Sequence, residues 1–340
     1  MVANSMGAVI LKWTTALLMG LGFTLAACAA EDPNYGENAA AKAFVEQMVK
    51  KHGFDRDDLM DLMGSARKKE SILKAMQRPA EKALEWHQYR KLFISNRRIQ
   101  GGVTFWEENE KALREAEEKY GVPPEMVVAI IGIETGYGRN MGSYRVLDAL
   151  STLAFDYPRR SKFFSKELEN FLLLTRDQEV DPREPKGSYA GAMGYGQFMP
   201  SSYRGYAIDF DGDGKADIWN NPTDAIGSVA NYFKRHGWVR DGLVAVLAEK
   251  GPKADMSLVN KSLKLRWTVG ELKKRGWITH APVKDSAKAN VFKLVGEDDI
   301  QYWFALQNFY TITRYNHSRR YAMAAYDLGQ EIISARGGKD

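Results

Sequence analysis

Val127-Val-Ala-Ile-Ile-Gly-Ile-Glu-Thr-Gly-Tyr-Gly138, preceded by Pro123 and Pro124, is read together with the glycine-rich stretch 187–202 around which the chain is organised. Proline suits the first helical positions and glycine suits the left-handed residue that ends a helix, so the segment reads as a helix delivering Glu134 at its C-terminal end. The apolar run over 127–133 desolvates one side of the carboxylate, and the negative end of the helix dipole disfavours its ionisation. Both effects favour a retained proton, which suits a general acid. A second stretch, Gly187-Ser-Tyr-Ala-Gly-Ala-Met-Gly-Tyr-Gly-Gln-Phe-Met-Pro-Ser-Ser202, lets backbone approach a bulky ligand closely. Within it Tyr189 and Tyr195 offer stacking faces, and Ser188 and Gln197 offer hydrogen bonds. Together the two stretches describe a sugar-binding cleft.

Ile-Gly-Ile-Glu-Thr-Gly-Tyr-Gly and Gly-Ala-Met-Gly-Tyr-Gly-Gln-Phe-Met-Pro-Ser-Ser resemble the signatures of the membrane-bound lytic murein transglycosylase B family, glycoside hydrolase family 103. Thr313-Arg-Tyr-Asn-His-Ser318 is a third resemblance, in the family's order, and the likeness extends over nearly the whole mature chain. The resemblance implies a mainly α (α+β) protein: a lysozyme-like catalytic core, an N-terminal helical region and a small β insertion around a deep groove.

The chain has 340 residues, 44% hydrophobic and 27% charged, an ordinary globular composition that needs no covalent staples. Its net charge of +5 favours an anionic polymer partner, and with the basic residues spread out and no nucleic-acid motif, cell wall fits better than DNA. Cys28 is the sole cysteine, so no internal disulfide can form. It closes Leu25-Ala-Ala-Cys28 after a short apolar stretch that follows Lys12, and this resembles a bacterial lipobox. The competing reading is a plain membrane anchor or an unlipidated signal. On the lipobox reading, residues 1–27 are a signal peptide and lipidated Cys28 begins the mature chain. By resemblance to other lipoproteins, Ala29 directs it to the periplasmic face of the outer membrane of a Gram-negative bacterium.

A tether occupies 28–38 and an N-terminal helical region 39–80, with helices expected over Ala39–Lys51, Asp55–Gly64 and Ser65–Met76 before a break at Pro79. The catalytic core is assigned to 81–255. Glu81–Asn96 carries Trp86, Tyr89, Leu92 and Phe93 on one helical face, so Tyr89 belongs to the core or to the cleft. Helices follow over Glu107–Tyr120, Tyr144–Phe155, Ser161–Asp177 and Asp224–Gly237, the last carrying Tyr232 as a cleft candidate. Short alternating apolar runs over 256–300 read as the β insertion, and 301–340 returns to helix from Tyr302 onward. Five scattered histidines without a ligand pair argue against zinc.

Asp209-Phe-Asp-Gly-Asp-Gly-Lys215 places oxygen ligands at the first, third and fifth positions of a calcium-type loop, with the Lys215 carbonyl at the seventh. An EF-hand needs Glu at the twelfth position, and here Asn220 stands there. Asp224, which matches the position the family uses, is the candidate closing carboxylate of the 209–224 loop, for a structural rather than a catalytic calcium; the competing reading is an acidic surface loop. The resemblance also implies that Tyr315 and Asn316 line the sugar cleft, with Tyr321 a weaker addition, and that Arg159 and Arg160 lie near carboxylates of the peptide stem.

Ordinary glycosidases use two carboxylates, and here the motifs place only one. In the family a single Glu works with substrate assistance. Glu134 then protonates the oxygen between N-acetylmuramic acid and N-acetylglucosamine, and the muramyl acetamido oxygen supports the anomeric carbon. The carboxylate next takes the proton of the muramyl 6-hydroxyl, giving a 1,6-anhydromuramyl end without water or a chemical cofactor. Ser188 and Gln197 are the candidates for positioning the muramyl groups, and Ser188 for bonding Glu134. The alternatives are a hydrolytic muramidase and a non-catalytic wall-binding lipoprotein. The partners implied are glycan strands, membrane lipid through Cys28 and wall-synthesis enzymes, not nucleic acid.

Overall fold

The computed structural model describes residues 33–77 and 84–337, and helices dominate them. The signal segment, Cys28 and the start of the tether lie outside the described residues, as does Pro79. Helix α1 (Ala39–His52) is capped by Asn38, which accepts from the Ala40 and Ala41 amides. Asp55 caps α2 (Arg56–Ser65) in the same way. The next helix is shorter than expected: α3 spans Glu70–Gln77, not Ser65–Met76. Tertiary partners claim the intervening backbone, the Arg67 amide bonding Asp148 Oδ1 at 2.8 Å and the Lys69 amide bonding Thr152 Oγ1 at 3.0 Å.

The expected helix over Glu81–Asn96 is likewise cut down. Helix α4 covers Trp86–Phe93, with Glu85 and Gln88 forming a capping box. Ser95 then opens α5 (Asn96–Glu108) by accepting from the Arg98 amide. Helix α6 (Glu110–Tyr120) ends at Gly121, whose φ of 69° is left-handed. Helix α7 (Pro124–Thr135) is buried at every position from Met126 to Ile133, so it has no polar face and forms the central cylinder.

A two-residue strand β1 (Tyr144–Arg145) replaces the expected first turn at Tyr144 and precedes α8 (Val146–Phe155). A 3-10 turn at Pro158–Arg160 leads into α9 (Ser161–Asp177). Strand β2 (Lys186–Gly187) pairs antiparallel with β1, Tyr144 opposite Gly187, so the start of the glycine-rich stretch is tied to the chain just beyond Glu134. Helices α10 (Pro200–Tyr206) and α11 (Pro222–Arg235) follow. The latter begins before Asp224 because Asn221 caps it and Pro222 occupies the first helical position.

The β insertion is wider than 256–300. It comprises β3 (Ala245–Lys250), β4 (Trp267–Thr268), helix α12 (Val269–Lys274), β5 (Trp277–Ile278), β6 (Lys288–Val295) and β7 (Ile300–Ala305), in the antiparallel order β4-β6-β7-β3-β5. Tyr302 therefore lies in a strand and not in the returning helix; it pairs with Ala248 and Lys293. Alternation along β6 explains why the sheet is stable. Val291 joins Val246, Leu272 and Trp277 in a small core of the insertion. Phe292 and Leu294 instead join the main core, Phe292 lying 4.7 Å from Phe309 between ring centroids.

Helix α13 (Gln307–Tyr315) and α14 (Arg319–Ala335) complete the chain, and α14 packs against α7, α5 and α4. The N-terminal helices share the main core, Tyr35 meeting Phe155 at 5.2 Å. Among the described residues no helix is long and apolar enough to cross a membrane.

Candidate active site

Glu134 sits in the last turn of α7 and is half-buried. Gly136, with φ 59°, stops the helix there, and its amide returns to the Gly132 carbonyl at 3.0 Å. Tyr137 is also left-handed, at φ 66°. Its hydroxyl donates to the Arg98 carbonyl at 2.8 Å, and burial pushes its pKa well up. Gly132 makes this possible, since a Cβ there would lie 2.6 Å from the Tyr137 oxygen. Thr135 fastens the turn to the glycine-rich stretch: its hydroxyl accepts from the Gly138 amide and lies 3.0 Å from the Tyr195 carbonyl, to which it can donate.

Tyr321 comes from the first turn of α14, which Ser318 caps, and its hydroxyl donates to Glu134 Oε1 at 2.5 Å. The Tyr315 hydroxyl donates to the Gly196 carbonyl, also at 2.5 Å. Burial first, then the Glu134 charge, pushes both tyrosines far above the ordinary phenol range. Each therefore stays a neutral donor at any working pH. The core of the site is thus one carboxylate, held by a tyrosine and surrounded by tyrosines.

The remaining sequence-derived candidates divide into groups. Ser188 Oγ accepts from the Ala192 amide at 3.1 Å, and Gln197 donates to the Met141 and Gly194 carbonyls, so both shape the glycine-rich loop. Gln197 does so with φ at 50°, a conformation uncommon for a residue with a side chain. Asn316 is exposed at the end of α13, and Tyr189 is exposed in the loop. Tyr232 and Tyr89 are enclosed, which removes their ring faces from solvent. Tyr232 donates to the Arg314 carbonyl at 2.7 Å and meets Tyr315 edge-on at 4.8 Å, supporting Tyr315 from behind. Tyr89 packs on Phe93 at 5.2 Å, beneath the Arg320 guanidinium.

Arg159 and Arg160 are exposed on the 3-10 turn, and Arg160 lies 4.2 Å above the Phe163 ring. Neither lines the cavity into which Glu134 opens. That cavity has a volume of about 290 Å³, and its wall includes Arg97, Arg98, Tyr137, Arg139 and Asn140. Among the described residues Glu134 is the only carboxylate that lines it. The three arginines were not legible as site residues from spacing alone, although Arg139 directly follows the Glu134 motif. A larger cavity of about 550 Å³ lies towards the calcium-type loop and is lined by Met141, Lys186, Tyr203 and Trp219. It contains none of the groups around Glu134, so size alone misleads about the chemistry.

Asp209, Asp211, Asp213 and Asp224 each bring a carboxylate oxygen within 4.8 Å of the others. Backbone amides hold them: Gly214 donates to Asp209 at 2.8 Å, Lys215 to Asp213 at 2.9 Å, and Phe210 and Asp217 to opposite oxygens of Asp224. Asp224 is wholly buried, and burial, partly offset by these amides, raises its pKa. Four hard oxygen donors of one sign around a common centre fit calcium, whose charge would balance them. Asn220 instead turns its amide to Asp217 at 3.0 Å.

Residues 36–330 match the model of the transglycosylase SLT domain family. Over 312 residues the chain is 47% identical to membrane-bound lytic murein transglycosylase B of Escherichia coli K12, covering 89% of this chain and 85% of that one. Catenated lytic transglycosylase SltB1 from Pseudomonas aeruginosa superposes with a TM-score of 0.87 at 52% identity, over 89% of this chain and all of that one (100%). The E. coli lytic transglycosylase Slt35 in complex with calcium gives 0.82 at 48% identity, over 90% and 96%. SltB3 from P. aeruginosa in complex with NAG-NAM-pentapeptide gives 0.76 at 30% identity, over 87% and 79%.

Proposed function

The chain belongs to the transglycosylase SLT domain family and has its lysozyme-like fold, and from that premise we propose how this lytic murein transglycosylase, a peptidoglycan-cleaving lyase, performs its reaction. Glu134 is the single acid and base. One observation carries this reading: among the described residues that line the cavity around Glu134 there is no second carboxylate to act as nucleophile or to hold water, as a hydrolase of the ordinary two-carboxylate kind needs. With the Tyr321 hydroxyl bonded to Oε1, the transferable proton rides on the other carboxyl oxygen. It passes to the glycosidic oxygen between N-acetylmuramic acid and N-acetylglucosamine. The muramyl acetamido oxygen then supports the anomeric carbon, and the Glu134 carboxylate takes the proton of the muramyl 6-hydroxyl as that oxygen closes the 1,6-anhydro ring. The proton count balances and no water is consumed.

Tyr321 positions the carboxylate through both steps, and its high pKa keeps it a donor when Glu134 is negative. Asn316, Tyr189 and the outward face of the Ser188–Gln197 loop receive the sugar, while Tyr232 and Tyr89 support it from beneath. Asp209, Asp211, Asp213 and Asp224, with the Lys215 carbonyl, hold a structural calcium that joins the loop to α11. Cys28 carries lipid at the periplasmic face of the outer membrane, consistent with the membrane-bound E. coli relative. Digestion of purified murein followed by mass analysis tests the reaction. Wild type should release muropeptides lighter by one water than hydrolytic products, and Glu134→Gln should release none while still binding strands. Reducing-end products from wild type would establish a muramidase instead.

A further inference from the structure

Three guanidinium groups face the same cavity as Glu134, and their supports are built rather than incidental. Arg98 donates to the Leu92 carbonyl at 2.6 Å and lies 5.5 Å above the Phe93 ring. Arg139 donates to the Gly136 carbonyl at 2.9 Å and lies 5.9 Å above Tyr137. Its guanidinium rests in a notch of α5 made by Gly101, where a Cβ would come within 2.4 Å of Nη2 and 2.9 Å of the Tyr137 ring. Tyr137 in turn bonds the Arg98 carbonyl, so the same ring fixes both arginines. Arg97 adds a third, exposed charge beside them.

Among the described residues none of the three has an acidic partner, in contrast to Arg90 on α4, which is paired with Asp327 at 2.9 Å and Glu331 at 2.8 Å. The Arg98 guanidinium is half-buried, and desolvation first, with the nearby Arg139 charge, lowers its pKa, Tyr137 offsetting part of the shift. Like charges held together in a partly dry cavity raise the energy of the empty site and favour an anion there. Guanidinium groups suit carboxylates because two parallel N–H donors match the two oxygens.

We propose that Arg97, Arg98 and Arg139 bind an acid group of the peptide stem carried on the muramyl lactyl group, and so set which murein reaches Glu134. The assignment rests on murein being the substrate. It differs from the placement at Arg159 and Arg160, because those residues do not enter this cavity while the new trio does.

The test compares wild type with an Arg97→Gln/Arg139→Gln variant, both positions being exposed, on three preparations of glycan strands. One is native, one has its carboxyls converted to primary carboxamides, and one is stripped of stems by amidase so that only lactyl carboxyls remain. On native strands the variant should lose about tenfold to a hundredfold in kcat/KM, mainly through KM, as expected for two charge-assisted contacts. On amidated strands the ratio of variant to wild type should return to within about twofold of one. Loss of the penalty on stripped strands assigns the contact to the stem, and its retention there shows that the site also accepts the lactyl carboxylate that the amidase sets free. An equal penalty on native and amidated strands, or none on native, overturns the proposal. Co-sedimentation in a Glu134→Gln background supplies the same comparison without turnover. A failure of wild type to make anhydro products therefore counts against the proposed reaction alone.

Discussion

The Tyr321 hydroxyl donates to Glu134 Oε1 at 2.5 Å, joining the first turn of α14 to the last turn of α7 across 187 positions of sequence. Helix α7 is buried from Met126 to Ile133, and α14 packs directly on it. The carboxylate is therefore oriented by two helices rather than by a loop, the arrangement that the proposed proton transfer requires.

Tyr321→Phe should keep the fold, because the ring remains in place within the core. A hydrogen bond to a charged group contributes about 1.5–3 kcal/mol, so kcat should fall about tenfold to a hundredfold while KM stays within about threefold. Steady-state kinetics on soluble glycan strands with a matched unfolding curve checks this. An unchanged kcat would mean that the contact has no part in the reaction.

Calcium should act on stability through the four aspartates. At about one hundred times Kd it should stabilise the wild type by about 2.7 kcal/mol. Asp213 is exposed and accepts from the Lys215 amide at 2.9 Å, a bond that Asn can retain through its side-chain oxygen. Asp213→Asn should therefore match the calcium-free wild type to within about 0.5 kcal/mol and lose most of the calcium response. Urea unfolding in calcium and in chelator gives the comparison, and an equal response in both proteins would exclude Asp213 as a ligand.

Alkaline pH should unfold the protein through its buried phenols. Tyr232 is pushed up to about 12 by burial, and Tyr315 and Tyr321 lie well above the ordinary value of 10.0. The folded state keeps protons that the unfolded chain releases above pH 10.0, so this contribution is complete below that pH. It is lost as pH rises through 12, at about 1.4 kcal/mol per pH unit for each such tyrosine. Unfolding curves recorded with tyrosinate absorbance should show stability declining over that window. A flat stability between pH 10 and 12 would contradict the burial of these hydroxyls.

Much of the helical order is legible from local signals. Asp55 caps α2, and Pro124 and Gly136 bound α7 within one or two residues of the reading from sequence. The errors fall where long-range partners override local preference. Residues 66–69 give up helical bonding for Asp148 and Thr152, and Tyr302 joins a sheet whose neighbours lie far away in sequence. An apolar aromatic segment reads equally well as a helix or a strand until its partner strand is known.

By itself the sequence determined the catalytic carboxylate candidate, the helix that carries it and the aspartate loop, because each depends on residues close together in the chain. Only the tertiary structure decided which groups meet Glu134. Tyr321 reaches it because α14 packs on α7, and Arg98 and Arg139 share its cavity because Gly101 leaves room for a guanidinium against α5. The same packing encloses Tyr89 and Tyr232, whose aromatic character alone fits a buried core as well as an open sugar cleft.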